Sequence, residues 1–187
     1  MIAGLVLAGG KSRRFGGEKA IAALNGRTLM EWGIDALRPH CALLAVSAPA
    51  RSGAAGLAAR LDLTVLEDAA GAPDGPLSGV AGGLRWAMAQ GAEHLATLPC
   101  DMPHVPQDLF PRLAEARGEA FAAFATTSDG VHPLCALWSI DLLASLESEL
   151  ARGHPAVQAF LRDVGGVAVE FDDAAAFANL NRPEIKP

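Results

Sequence analysis

Short apolar runs recur along this chain, each cut off by glycine, proline or an acidic residue and followed by a stretch of helical period. Residues 2–7 (IAGLVL), 42–46, 63–66 and 95–98 are too short for buried helices and read as buried strands. Between them, Thr28 caps a helix running to Arg38, with Leu29, Trp32, Ile34 and Leu37 on one side and Pro39 as its stop. Residues 54–60 and 77–90 read as further helices. Beyond residue 100 the pattern continues with helices at 109–117, 142–150 and 156–163 and strands at 120–126, 134–138 and 167–171. Strands alternating with helices favour right-handed βαβ crossovers, so the expected fold is α/β, three layers, with a mostly parallel sheet and helices on both faces. The composition agrees: 51% of residues are apolar but only 5% aromatic and none is tyrosine, so the core is built from Ala, Leu and Val. At 187 residues, without a linker, low-complexity tract or repeat, one domain over 1–187 is expected.

Charge and cysteine usage exclude several roles. A net charge of −6 opposes nucleic-acid binding, which depends on neutralising backbone phosphates. Cys41, Cys100 and Cys135 are odd in number and form no C-x-x-C pair, which argues against a disulfide framework or a structural zinc site and for reduced thiols in the cytoplasm. The opening MIAGLVLAGG has no charged leader, and its apolar run is far shorter than the roughly 20 residues of a membrane span. The expectation is a soluble, cytoplasmic protein with no membrane partner.

The cations are informative where they cluster. Lys11, Arg13, Arg14 and Lys19 fall inside LAGGKSRRFGGEK, residues 7–19, directly after the first strand. Gly9, Gly10, Gly16 and Gly17 have no Cβ, so their backbone can approach a polyphosphate and turn N–H donors toward it. Arginine adds bidentate grip on phosphate oxygens. No G-K-[ST] closes the loop and it is not G-x-G-x-x-G, so neither a P-loop nor a dinucleotide fingerprint is present. A small, highly anionic ligand accounts for a local positive field on an acidic chain.

Further signals lie at strand ends. In LPCDMP, Asp101 follows an apolar strand between two prolines; such rigid presentation suits a Mg²⁺ ligand, while the plainer reading is a turn or helix cap near Gln107. Cys100 reads as a small buried filler. Asp68 ends the third strand, and GPLSG (75–79) opens a helix whose start can present free N–H groups to a base or phosphate. Gly79, Gly82 and Gly83 suggest close backbone packing or a ligand near that first turn. His132 reads as structural, and Asn179 and Asn181 as either ligand amides or makers of Asx turns. In a doubly wound sheet Gly9, Asp68 and Asp101 should face one crevice.

Taken in order, LAGGKSRRFGGEK, Glu67-Asp68, GPLSG, PCDMP, HPLCALW and FANLNRPE resemble the molybdenum cofactor guanylyltransferases, over nearly the whole chain. The resemblance implies a Rossmann-like nucleotidyltransferase fold and transfer of GMP from GTP to the terminal phosphate of molybdenum-bound molybdopterin, with Mg²⁺ as cofactor. It implies that Leu7, Ala8, Gly9, Gly10 and Lys19 bind GTP, that Arg14, Lys19 and Asp101 serve catalysis, and that Asp68 contacts the nucleotide. Asp101 would hold nucleotide and Mg²⁺, with Asn179 and Asn181 on the pterin side. The partners implied are GTP, the molybdopterin, molybdopterin-handling proteins and apo-molybdoenzymes, with the chain a monomer or weak homo-oligomer.

The sequence departs from the family pattern at Phe15, at Arg182, and at Ser47, where relatives often carry Asn; a serine there keeps one hydrogen bond. Two other readings stand beside this one. A cytidylyltransferase or other small-molecule nucleotidyltransferase would share the first loop, but Gly9 and GPLSG favour guanine over the LAAG loop of the cytidine enzymes. A non-catalytic delivery protein would not need both Lys19 and Asp101.

Overall fold

The computed structural model describes residues 1–9, 18–68 and 75–180. Gly10, Lys11, Arg13, Arg14, Gly16 and Gly17, the loop 69–74, and Asn181 and Arg182 therefore lie outside the described residues. In chain order the strands and α-helices are β1 (Ile2–Leu7), β2 (Ala23–Leu24), β3 (Arg27–Thr28), α1 (Leu29–Leu37), β4 (Leu43–Ser47), α2 (Gly53–Arg60), β5 (Thr64–Leu66) and α3 (Pro76–Ala89). They continue as β6 (His94–Pro99), α4 (Leu109–Arg117), β7 (Ala122–Thr127), β8 (Gly130–Ser139), α5 (Leu143–Arg152), α6 (Val157–Asp163) and β9 (Val167–Glu170).

The main sheet has seven strands in the order β5-β4-β1-β6-β8-β7-β9. Only the pairs made by β8, with β6 and with β7, are antiparallel. The alternation of strand side chains explains why the runs are apolar throughout. Leu5 and Leu95 point into a core shared with α3, α5 and α6, and Val6 and Leu98 into one shared with α1, α2 and α4. The expected three-layer α/β sheet is what forms. Within it α3 lies unusually close: a Cβ on Gly83 would stand 2.5 Å from Leu5 Cδ2 and 2.8 Å from Leu95 Cδ2. Gly82 faces open space, so of the three helical glycines only Gly79 and Gly83 serve close packing.

Two features differ from the sequence reading. Asn25 (φ 52°) and Gly26 (φ 78°) turn the β2–β3 ribbon, a hairpin that the Asn-Gly pair signals and the search for apolar runs overlooks. Strand β8 begins at Gly130 rather than Leu134. Its register with β7 jumps from Phe124↔Ala136 to Ala125↔His132, so Pro133 falls in the irregular stretch where its missing N–H breaks no ladder bond.

From β1 the chain moves outward through β4 to β5, then α3 carries it back to β6 on the other side of β1. The direction of winding thus reverses between β1 and β6, the position where open α/β sheets bind ligands beyond their carboxyl ends.

Candidate active site

The strand ends line up across four strands, with Leu66 paired to Ser47, Ser47 to Leu7 and Leu7 to Pro99. Ala8 N–H donates to Ser47 O at 2.9 Å, Ala48 N–H to Leu66 O at 3.0 Å and Cys100 N–H to Leu7 O at 3.1 Å, so each strand leaves the sheet from the same edge. Asp68, Gly9 and Asp101 follow three of these ends, so all three sit at one edge of the sheet. Adjacent strands lie about 4.8 Å apart, which separates the ends of β5 and β6 by roughly 14 Å. That spacing suits contact with opposite ends of one extended ligand rather than shared ligation of one ion.

At the switch point Lys19 Nζ meets Asp101 Oδ2 at 2.8 Å, with the side chains 14% and 22% exposed. The two residues are 82 positions apart in the sequence. Lys19 opens a short 3₁₀ turn (Lys19–Ile21), and the residue before it is anchored separately. Glu18 accepts hydrogen bonds from Gly53 N–H at 2.6 Å and Ala54 N–H at 2.7 Å, so its carboxylate sits on the first turn of α2. The end of the glycine-rich loop is therefore held by α2 on one side and by Asp101 on the other. Nothing in the sequence reading singled out Glu18, because its partners are backbone amides in a distant helix.

Asp101 does not cap a helix; α4 starts beyond Asp108. Its carbonyl accepts from Leu180 N–H at 3.0 Å, which ties the FANL stretch to the PCD turn and brings the exposed Asn179 to the same end of the sheet. Phe177, fully buried, stacks on His132 with ring centroids 4.8 Å apart, and His132 Nε2 is hydrogen-bonded to Thr127 Oγ1 at 2.9 Å. His132 thus supports the segment that carries Phe177 and Asn179. Burial, the main influence, lowers its pKa. Burial pushes the Cys100 thiol up to about 12, which fits an inert filler beside Asp101.

Ser47 is 6% exposed, and a Cβ on Gly79 would stand 2.8 Å from its Oγ and 3.2 Å from Leu7 Cδ2. The helix α3 consequently packs closely on the ends of β4 and β1. Two amides of its first turn have partners within the chain: Leu77 N–H donates to His154 Nε2 at 3.2 Å and Ser78 N–H to Gly75 O at 3.3 Å. Among the described residues there is no group of three or more His, Cys, Asp or Glu that could hold a metal. A cation at Asp101 would thus take one protein carboxylate and complete its shell from ligand oxygens and water, the habit of Mg²⁺.

A strand order that reverses at β1 and β6, a glycine-rich loop at one strand end and a Lys–Asp pair bridging to the other define an α/β nucleotidyltransferase. The chain matches the family model described as MobA-like NTP transferase domain over residues 4–168, and it belongs to that family. It is 46% identical over 182 residues to the molybdenum cofactor guanylyltransferase of Cereibacter sphaeroides (strain ATCC 17029 / ATH 2.4.9), covering 97% of this chain and 91% of that one. It is 35% identical over 184 residues to the protein of the same name from Yersinia pestis (strain Pestoides F), again covering 97% and 91%. Among solved structures it resembles molybdopterin-guanine dinucleotide biosynthesis protein A from Archaeoglobus fulgidus, with a TM-score of 0.78, 24% identity and coverage of 98% and 94%.

Proposed function

We propose that this chain transfers GMP from GTP to the terminal phosphate of molybdenum-bound molybdopterin, releasing pyrophosphate and forming the guanine dinucleotide cofactor. The observation that carries this reading is the Lys19–Asp101 pair at the switch point, one strand away from Gly9. Likeness to two guanylyltransferases supports guanine as the base.

An acceptor phosphate oxygen attacks the α-phosphorus of GTP, the bond to the bridging oxygen of the β-phosphate breaks, and pyrophosphate leaves with that electron pair. The acceptor is already an anion at neutral pH, so the step needs no general base, and the work of the site is positioning and charge neutralisation. The backbone of Leu7, Ala8 and Gly9 lies at the strand end where the triphosphate would enter, with Gly10 and Arg14 continuing the same loop. Lys19 brings a fixed positive charge to the phosphates. Asp101 would hold Mg²⁺, its single carboxylate being the donor type that this ion shares with substrate phosphates. When bound, Mg²⁺ supplies neutralisation of the charge that builds on the phosphate oxygens. Ser47 and Asp68 lie along the edge toward β5, the side assigned to the nucleoside, and Asn179 and Asn181 serve the pterin.

Incubating the purified protein with Mg²⁺, molybdenum-loaded molybdopterin and either GTP or CTP, followed by mass spectrometry of the pterin product, tests this reading. A guanine dinucleotide formed from GTP is expected. A cytosine dinucleotide formed in preference would move the chain to cytidylyl transfer, and absence of either product would refute transfer to this acceptor.

A further inference from the structure

The bond between His154 and the start of α3 joins two distant parts of the chain. His154 lies between α5 and α6, 77 residues beyond Leu77, and its half-buried ring reaches the GPLSG turn on the face of the sheet that α3, α5 and α6 share. Leu77 N–H is the donor, so Nε2 offers a lone pair and the ring proton sits on Nδ1.

Gly75 is shaped to receive that ring. Its φ of 154° and ψ of 166° belong to a region that side chains rarely allow. A Cβ built on it would lie 2.2 Å from His154 Nε2, 2.3 Å from Cε1 and 2.6 Å from Cδ2. The imidazole therefore lies directly against the Gly75 α-carbon, and any larger residue at 75 would expel it. Four positions further on, Gly79 brings α3 against Ser47 Oγ and Leu7, at the ends of β4 and β1. His154 thus fixes one end of a turn whose other end touches the nucleotide side of the sheet.

We infer that His154 is a positioning residue for nucleotide binding: by accepting from Leu77 N–H and packing on Gly75, it sets where the GPLSG turn meets the nucleoside triphosphate. It acts through the turn and does not touch the reacting phosphates. The inference rests on the nucleotide-transfer reading above and adds to it a residue from the C-terminal part of the chain.

The test compares wild type with His154→Phe, which keeps a ring but has no acceptor, and His154→Gln, whose amide oxygen can accept from Leu77 N–H. Three quantities are read: the dissociation constant for GTP with Mg²⁺ by titration calorimetry, the KM for GTP and for the pterin with kcat, and the melting temperature. Losing one neutral hydrogen bond corresponds to about a 3–10-fold weakening. His154→Phe should therefore raise the GTP dissociation constant and KM by about that factor while kcat and the pterin KM stay within about twofold, and His154→Gln should recover most of the loss. Unchanged GTP affinity in His154→Phe, an equal loss in pterin KM, or no recovery in His154→Gln would overturn the inference. The calorimetric arm does not need turnover, so a wild-type protein that binds GTP but transfers nothing would refute the proposed reaction and still decide the role of His154.

Discussion

At the scale of single residues, the site depends on a pair that neither partner could form locally. Lys19 comes from the end of a loop and Asp101 from a proline-bracketed turn, and they meet only because β1 and β6 are neighbours. Replacing Lys19 by Met removes the charge without much loss of volume and should lower the rate of transfer by about 10²–10³-fold, the scale seen when one stabilising donor is removed from a transition state. Steady-state kinetics with an unchanged circular dichroism spectrum would check it. The cysteines make a second prediction. Burial pushes the Cys41 and Cys100 thiols up to about 12 and drives Cys135 higher, and each stays protonated until pH rises to that range. Native protein treated with iodoacetamide at pH 8 should show no rapid alkylation by mass spectrometry, with all three thiols reacting once the chain is unfolded. Lys19 and Asp101 stood out by residue type, a cation closing a glycine-rich loop and an acid between prolines, but their pairing across 82 positions was not legible. Glu18 and His154 did not stand out, since each bonds backbone amides far away in sequence, and backbone partners leave no residue-type signature.

At the scale of elements, caps decide where the helices start. Thr28 and Glu31 form a capping box: Glu31 N–H donates to Thr28 Oγ1 at 3.2 Å and Thr28 N–H donates to Glu31 Oε2 at 2.8 Å. The hydrogen bonds from Thr28 hold the Glu31 carboxyl below its ordinary pKa. A lowered folded-state pKa means that this contribution is present above the carboxylate range of the unfolded chain and fades as pH falls through the folded value. Thr28→Ala should therefore cost about 1 kcal/mol at pH 7 and less in acid, measured by denaturant unfolding at both pH values. Glu18 plays a comparable part on α2, but from another element. Glu18→Ala should raise the KM for GTP more than it lowers kcat, because the loop end loses its anchor while Asp101 stays in place; equal effects on both would contradict an anchoring role. The helix Leu109–Arg117 forms with the bounds read from the sequence, and α1 was announced by its Thr28 cap and Pro39 stop. The β2–β3 ribbon and the first part of β8 were harder, the one held by two residues per strand and the other running through Pro133.

At the scale of the whole molecule, the winding of the sheet is what converts separate motifs into one site. Short apolar runs announced a buried, mostly parallel sheet, and strand ends were recognisable as places for chemistry. The insertion of antiparallel β8 between β6 and β7 was not, since an apolar strand gives no sign of its direction. That strand separates the nucleotide half from the outer strands β7 and β9, after which the chain returns to Asp101 through Leu180. The return brings two ends of the sequence to one edge of the sheet: the first strand ends at Leu7 beside Pro99, and Leu180 N–H reaches the carbonyl of Asp101. We propose that Asp101 converts nucleotide binding into metal-dependent transfer. It is tested most directly by comparing pyrophosphate release from GTP by wild type and Asp101→Asn, with Mg²⁺ and molybdenum-loaded molybdopterin present. Release by the wild type and a fall of about 10²–10³-fold or more in the variant, with its fold and melting temperature preserved, are expected; near-wild-type release by the variant would contradict this role of Asp101.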